Sequence, residues 1–455
     1  MSGQTRIDRA AVGRVVGRER ARYADARPAS AAAAAALGRH WLAGVPMHWM
    51  RDWPMPFPLV VREAQGATLV DADGHRYADF CLGDTGAMFG HAVPAVVAAV
   101  AAQARHGLTY MLPSADAEAA GDRLAALFGL PAWQVTQTAT DANRAVIRWA
   151  RGLTGRPLVL VFDGCYHGTV DDTLVALQDG RTVARPGLVG PRADLAAGAR
   201  VVEFNDLAAL EAALAPGDVA CVLCEPVMTN CGMVLPEPGF HVRLRELTRR
   251  QGTLLVVDET HTLSSGYGGY TRVHGLEPDL LVVGKSIAGG VPCAVYGASA
   301  EVAARMEHLL DARSPGHSGL GTTLAASALA LAALRASLEQ VITESAYAQM
   351  NAIADRLVQG LDSLLLQHGL PWHVSRVGAR VELGFRAHPP RTGRESVAAA
   401  DHELEQALHL WLLNRGVVIT PFHNMMLASP ATEPAAVERL LEGCAAFVRE
   451  LDGEA

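Results

Sequence analysis

Of the 39 basic side chains in the 455-residue chain, 38 are arginine and one is lysine, Lys285. Either residue can supply surface charge. A guanidinium stays protonated and delocalised, however, whereas an amine can lose its proton and condense with an aldehyde. Lys285 follows the apolar run Leu280–Val283, and Asp258 follows the apolar run Leu254–Val257, 27 residues earlier. That spacing is about one strand–connection–strand unit, so both side chains can face one crevice. Each alone has an ordinary reading, as a solvated lysine and a turn-forming or helix-capping aspartate. Together, a carboxylate and the only lysine amine at neighbouring strand ends are what pyridoxal phosphate requires. The amine forms a Schiff base and the acid keeps the pyridinium nitrogen protonated.

The phosphate of such a cofactor needs donors of its own. The segment TATDAN at 138–143 offers small hydroxyls and backbone N–H groups ahead of a helix expected over Ala142–Leu153. A helix N-terminus binds phosphate through its free N–H groups and its dipole, although Thr140 or Asp141 would serve equally as a plain N-cap. In FDGCYHG, Tyr166 and His167 can set an aromatic face against a pyridine ring, or simply pack and hydrogen-bond.

These residues need a frame that collects strand ends. From about 90 to 335, amphipathic helices (Pro94–Arg105, Ala142–Leu153, Phe240–Gln251) alternate with short apolar strands (Leu158–Phe162, Val219–Cys224, Thr253–Val257, Leu280–Val283). Continuous apolar strands separated by helices predict an α/β domain with a mainly parallel sheet covered on both faces. In such a sheet ligands sit beyond the carboxyl ends of the strands. Residues 1–89 read as a helical segment followed by a β-hairpin turning at Asp73-Gly74. Residues 336–455 read as a smaller α+β domain: a long helix, a β-like stretch at His373–Phe385, a helix carrying Leu404, Leu408 and Leu412, a short strand and a final helix.

Composition narrows the function classes. Half the residues are hydrophobic and the net charge is −8. No basic tract suits nucleic acid or an anionic membrane, and no apolar run reaches the roughly 18 residues of a membrane span. Seven scattered cysteines, an odd number, favour a reducing cytoplasm over a disulfide framework. Cys221 and Cys224 form a CxxC within one strand, three positions apart and so on opposite faces. No metal site is expected. The Arg-rich start of the chain lacks a long apolar core and reads as a helix, not a secretory signal.

The strings FDGCYHG, CEPVMTNCGMVLPEPGF, VVDETHT, GLEPDLLVVGK and IAGGVP, in this order and spacing, resemble the class III (ω-type) aminotransferases from about Phe57 onward. The likeness is greatest to the subgroup of glutamate-1-semialdehyde 2,1-aminomutase and the β-amino-acid aminotransferases. It implies a fold-type I pyridoxal-phosphate enzyme, with a large sheet domain and a smaller α+β domain from the two chain ends. It also implies a homodimer with active sites at the subunit interface. By this resemblance Lys285 is the Schiff-base lysine and Asp258 the partner of the pyridine nitrogen. Tyr166 stacks on the ring with His167 nearby, Thr138, Ala139 and Thr140 form the phosphate cup, and Glu225 lies near the cofactor. Thr323 reaches the phosphate of the partner subunit.

The sequence also departs from the family. In DETHT, Thr260 stands where a valine packs on the ring. TTLAASAL lacks the glycine, asparagine and proline that accompany the threonine matched by Thr323. The stretch PFHNMMLAS at 421–429 has neither the gating glutamate of the aminomutase nor an arginine for a substrate carboxylate. Arg51 becomes the candidate carboxylate clamp, with Trp49 beside it as a substrate contact, although an exposed arginine and hairpin packing are the plainer roles. The expected activity is ping-pong transfer of an amino group from an amino acid or amine to a keto acid. The rivals are an intramolecular aminomutase, a racemase, a decarboxylase and a cofactor-binding regulatory protein. A nicotinamide dehydrogenase would want a GxGxxG between the first strand and helix, and none is placed so.

Overall fold

The computed structural model describes residues 7–191 and 194–452. The chain forms two compact units. One comprises Met1–Val93, Ser345–Pro389 and Ala399–Ala455, and the other Pro94–Glu344 and Pro390–Ala398.

The second unit is built on a seven-stranded sheet. Its strands run in the spatial order Ala132–Thr136, Ala294–Ala298, Leu280–Val283, Leu254–Asp258, Val219–Cys224, Leu158–Phe162, Ala199–Val202. The last five of these are mutually parallel, and Ala294–Ala298 is antiparallel to both its neighbours. Every residue of Val219–Cys224, Leu254–Asp258 and Leu280–Val283 is buried, as a sheet covered on both faces demands. Each fully buried valine or leucine side chain contributes about 1.5–3 kcal/mol, so the central strands bury the sheet's main apolar stabilisation. Cys221 and Cys224 are both buried and unpaired within their strand.

In this unit one sequence expectation changes, and three strands had no reading in the sequence. The helix expected at Ala142 begins at Ala139, because Thr138 adopts extended backbone and caps it. The edge strand Ala132–Thr136, with Gln134 exposed in it, and the strands Ala199–Val202 and Ala294–Ala298 lacked the long apolar signature of the central strands.

The first unit carries two small sheets. The segment read as a two-run hairpin is a three-stranded meander, Val61–Gln65, Thr68–Asp71 and Arg76–Asp79, because Gly66 (φ +56°) turns the chain a second time. Val417–Val418 adds to it in parallel. The turn at Asp73-Gly74 is held by Asp71 Oδ1, which accepts from the N–H groups of Asp73 and His75 at 3.0 and 2.8 Å. His373–Val377 and Arg380–Gly384 form a hairpin, to which Met425–Leu427 adds a strand. The helix Arg9–Ala26 packs on the helix His402–Leu413, in which Leu404, Leu408 and Leu412 are buried.

Candidate active site

Four adjacent strands of the large sheet end in polar residues. Asp258 closes its strand and pairs in register with Val282, three residues before Lys285 on the next parallel strand. On the other side Val257 pairs with Cys224, so Glu225 emerges at the same edge. Beyond that strand, Leu158–Phe162 leads into the loop bearing Tyr166 and His167. The apolar sequence buries each strand, and the first polar residue beyond it lines the rim.

Asp258 is the best-held group at this rim. Its Oδ2 accepts from His167 Nδ1 at 2.9 Å and from Asn143 Nδ2 at 2.8 Å, and its Oδ1 accepts from the Thr260 N–H at 3.0 Å. Burial alone would raise the carboxyl pKa. The hydrogen bond and charge of His167, with the bonds from Thr260 and Asn143, outweigh it and hold the group below its ordinary value. Burial likewise opposes the charged form of His167, but Cys165 and Asp258 outweigh it and carry the imidazole up to about 10. Asp258 is therefore ionised in the interior, paired with an imidazolium.

Lys285 sits at φ +51°, left-handed backbone that a residue with a Cβ seldom adopts. Such strain persists where the surroundings over-determine it, and it clusters at functional sites. Its Nζ lies 2.8 Å from His261 Nε2.

The proposed phosphate cup occupies the first turn of the helix Ala139–Thr154. Thr138 Oγ1 accepts from the Asp141 N–H at 3.2 Å, and the N–H groups of Ala139 and Thr140 have no partner inside the helix. Two glycines press neighbouring segments onto this turn. A Cβ on Gly284 would lie 2.8 Å from Ala139 Cβ, and one on Gly168 (φ +79°) would overlap Thr140 Oγ1. The Thr169 N–H also donates to Thr140 Oγ1 at 3.2 Å. Cup, ring loop and lysine segment thus form one close-packed block.

Glu225 acts locally. Its Oε1 accepts from the Tyr166 N–H at 3.3 Å, and its Oε2 accepts from the N–H and hydroxyl of Thr229 and from Asn230 Nδ2. Burial raises its pKa, partly offset by His167 and Thr229. Tyr166 itself is 40% exposed. Thr323 does not join the group formed by Asp258, His167 and Lys285. It is exposed in a turn and lines a separate cleft of about 1050 Å³ with Met111, Leu112, Gln134 and His317. Trp49 and Arg51 belong to the other unit, both exposed on the short turn His48–Arg51. Their neighbours Trp53 and Phe57 pack into the core around Tyr23 and Tyr77.

Sequence reasoning missed Asn143, His261, Gly168 and Gly284. Asn143 was detectable, as an amide on the buried face of a helix otherwise lined by Ala142, Ala145, Val146 and Trp149. The other three depend on through-space proximity, which spacing does not encode.

The residues present fit pyridoxal phosphate. Thr260 Oγ1, Asn143 Oδ1 and His167 Nε2 are buried without hydrogen-bond partners among the described residues. Each such orphan costs about 1–3 kcal/mol, so they mark a place where a polar ligand offsets that cost. An amine, a carboxylate and the Ala139 and Thr140 N–H groups of a helix's first turn supply contacts for an aldehyde, a ring nitrogen and a phosphate.

The profile of the family described as Aminotransferase class-III matches residues 50–439. A glutamate-1-semialdehyde 2,1-aminomutase of Desulfotalea psychrophila is 32% identical over 393 residues, covering 85% of this chain and 90% of that protein. Among solved structures, a glutamate-1-semialdehyde-aminomutase from Pseudomonas aeruginosa PAO1 is 52% identical, with TM-score 0.96 and coverage of 98% and 99% of the two chains. A lysine-to-alanine variant of such an enzyme from the same organism was solved in complex with PMP. A β-phenylalanine aminotransferase from Variovorax paradoxus is 27% identical, with TM-score 0.83 and coverage of 96% and 97%.

Proposed function

We propose, for a chain that belongs to the class III aminotransferase family and takes pyridoxal 5′-phosphate, that it is an aminotransferase. It moves an amino group from an amino acid or amine to a keto acid in two half-reactions at one site. When bound, the cofactor supplies an aldehyde that captures amines and a protonated ring that takes up the electrons of a substrate carbanion. The residues at the strand ends supply the rest. Lys285 would hold the cofactor through its amine and, once displaced, would take the proton from the substrate carbon as general base and deliver it to the cofactor C4′ as general acid. The Asp258 carboxylate holds a proton on the ring nitrogen, and its bonds to His167, Asn143 and Thr260 keep it ionised and oriented. The free N–H groups of Ala139 and Thr140, with the Thr138 hydroxyl, bind the phosphate. Tyr166 covers a ring face, and Glu225 fixes the backbone of Tyr166. The observation that carries this reading is the buried Asp258, held by three hydrogen bonds on the strand next to the one that delivers the only lysine.

A second copy completes the assembly in this reading. Leu108, Met111, Leu112 and Leu324 are between 51% and 78% exposed. Met111, Leu112 and Thr323 line the same cleft, a surface suited to a homodimer that shares its active sites. The free cysteines suit a reducing cytoplasm.

An intramolecular aminomutase is the second reading, favoured by the relative at 52% identity. The stretch 421–429 has no carboxylate of its own, but its His423 Nδ1 lies 3.0 Å from Glu382 Oε1 on the neighbouring strand. The test supplies a panel of amino acids and amines with and without a 2-oxo acid. Net keto product that requires the acceptor supports the aminotransferase. Complete isomerisation of glutamate-1-semialdehyde, with no acceptor present, replaces it with the aminomutase.

A further inference from the structure

His261 lies in DETHT, three residues after Asp258, and opens the turn Thr262–Ser265. Its imidazole is buried, and its Nε2 stands 2.8 Å from Lys285 Nζ. An ammonium carries three donors and no acceptor. At this distance a charged Lys285 donates and His261 Nε2 accepts, which puts the ring proton of the neutral imidazole on Nδ1. The backbone of both residues is fixed. The His261 carbonyl accepts from the N–H and hydroxyl of Ser264 at 3.2 and 2.8 Å, and Lys285 is held in left-handed backbone beside the tightly packed Gly284.

We propose that His261 is a positioning residue for the reaction, the acceptor that receives and places the Lys285 amine whenever it is not joined to the cofactor. A lysine side chain sits on a flexible four-carbon stem with many rotamers. Without a partner, the displaced amine would sample many positions between one proton transfer and the next. With His261 Nε2 in place, the amine returns to one position. When Nζ must be neutral to attack, one of its N–H bonds breaks and an N–H bond forms at Nε2. The proton passes back by the reverse step, with no change in oxidation state. The imidazole thus acts on Lys285 and not on the substrate.

This inference rests on the reading of Lys285 as the cofactor-bearing residue, and the experiment separates the two. The full-length chain is stripped of cofactor and mixed with pyridoxal phosphate. The rate at which the bound cofactor's visible absorbance appears is followed, and borohydride fixation at the only lysine is confirmed by peptide mass. Wild type, His261→Leu and His261→Gln are compared, the last keeping a side-chain acceptor. His261→Leu is expected to slow cofactor capture, and to lower kcat, by about 10- to 100-fold. The KM for the donor should stay within about twofold, and His261→Gln should recover most of both rates. Capture by His261→Leu at the wild-type rate overturns the proposal, as does equal impairment of the Leu and Gln variants, which a purely structural histidine would produce. If His261→Leu does not fold, the comparison of His261→Gln with His261→Asn decides. A shorter acceptor that cannot reach Nζ must then be the slower of the two, and equal rates overturn the proposal. Failure of the wild-type chain to fix pyridoxyl at Lys285 sinks the reading of Lys285 itself.

Discussion

His167 and Asp258 are 91 residues apart in sequence, yet their side chains meet at 2.9 Å as a buried ion pair in which neither group is more than 3% exposed. The pair joins the end of one strand to the loop after another. It keeps a carboxylate charged where burial alone would neutralise it.

That coupling has a pH signature. His167 has a folded-state pKa raised to about 10, so its contribution is fully present below the ordinary histidine value near 6.5 and is lost as the pH rises through about 10. Asp258 is depressed, so its contribution is present above about pH 4 and is lost as the pH falls further. The melting temperature of wild type should exceed that of His167→Gln by the most between pH 5 and 6.5. The corresponding difference in unfolding free energy, about 3–5 kcal/mol at its largest, should shrink steadily toward pH 10. A gap that grows on the alkaline side would contradict the ion pair.

Lys285→Arg keeps the positive charge and removes the amine. Turnover should fall by at least about 10⁴-fold, and borohydride should fix no pyridoxyl group, while the far-UV circular dichroism stays that of wild type. The readouts are product formation and peptide mass.

Asn143→Ala removes one of the three donors to Asp258, leaving those of His167 and Thr260 in place. Stability should drop by about 1–3 kcal/mol and kcat by about tenfold, with a smaller change in KM. Chemical denaturation and steady-state kinetics measure the two effects.

Gly284→Ala would place a methyl group 2.8 Å from Ala139 Cβ, inside contact distance. Overpacking of this kind costs about 1–3 kcal/mol. Because the displaced residue belongs to the proposed phosphate cup, cofactor affinity should fall along with stability. Equilibrium dialysis of pyridoxal phosphate against the variant reads this directly.

Met111→Glu sets a charge on a side chain that is 78% exposed at the cleft bearing Thr323. Light scattering should show a shift from dimer toward monomer, with activity lost in proportion. A variant that remains dimeric and active would remove this surface from the assembly.

Much of the large sheet was legible because its central strands are unbroken apolar runs. Leu158–Phe162, Val219–Cys224 and Leu280–Val283 have the bounds expected of them. Ala132–Thr136 and Ala294–Ala298 were not legible, since short strands of small or mixed residues carry no periodicity that separates them from loops. Asp258 and Lys285 stood out by type and by position after apolar runs, and the structure places them at adjacent strand ends. Their surroundings were hidden. The partner of Asp258 is contributed by a loop 91 residues away, and the partner of Lys285 by a side chain 24 residues away. Only the folded chain supplies those proximities.

Gly168 and Gly284 bear on how this protein can be altered. Because the lysine segment abuts Ala139 and the aromatic loop abuts Thr140 of the same helical turn, positions 139 and 140 have little slack to absorb a larger side chain. A mutant library drawn there would be sorted by retention of the vitamin and not by the amine accepted. Diversity aimed at new substrates belongs on residues outside this floor, where a change of shape need not be transmitted to Lys285.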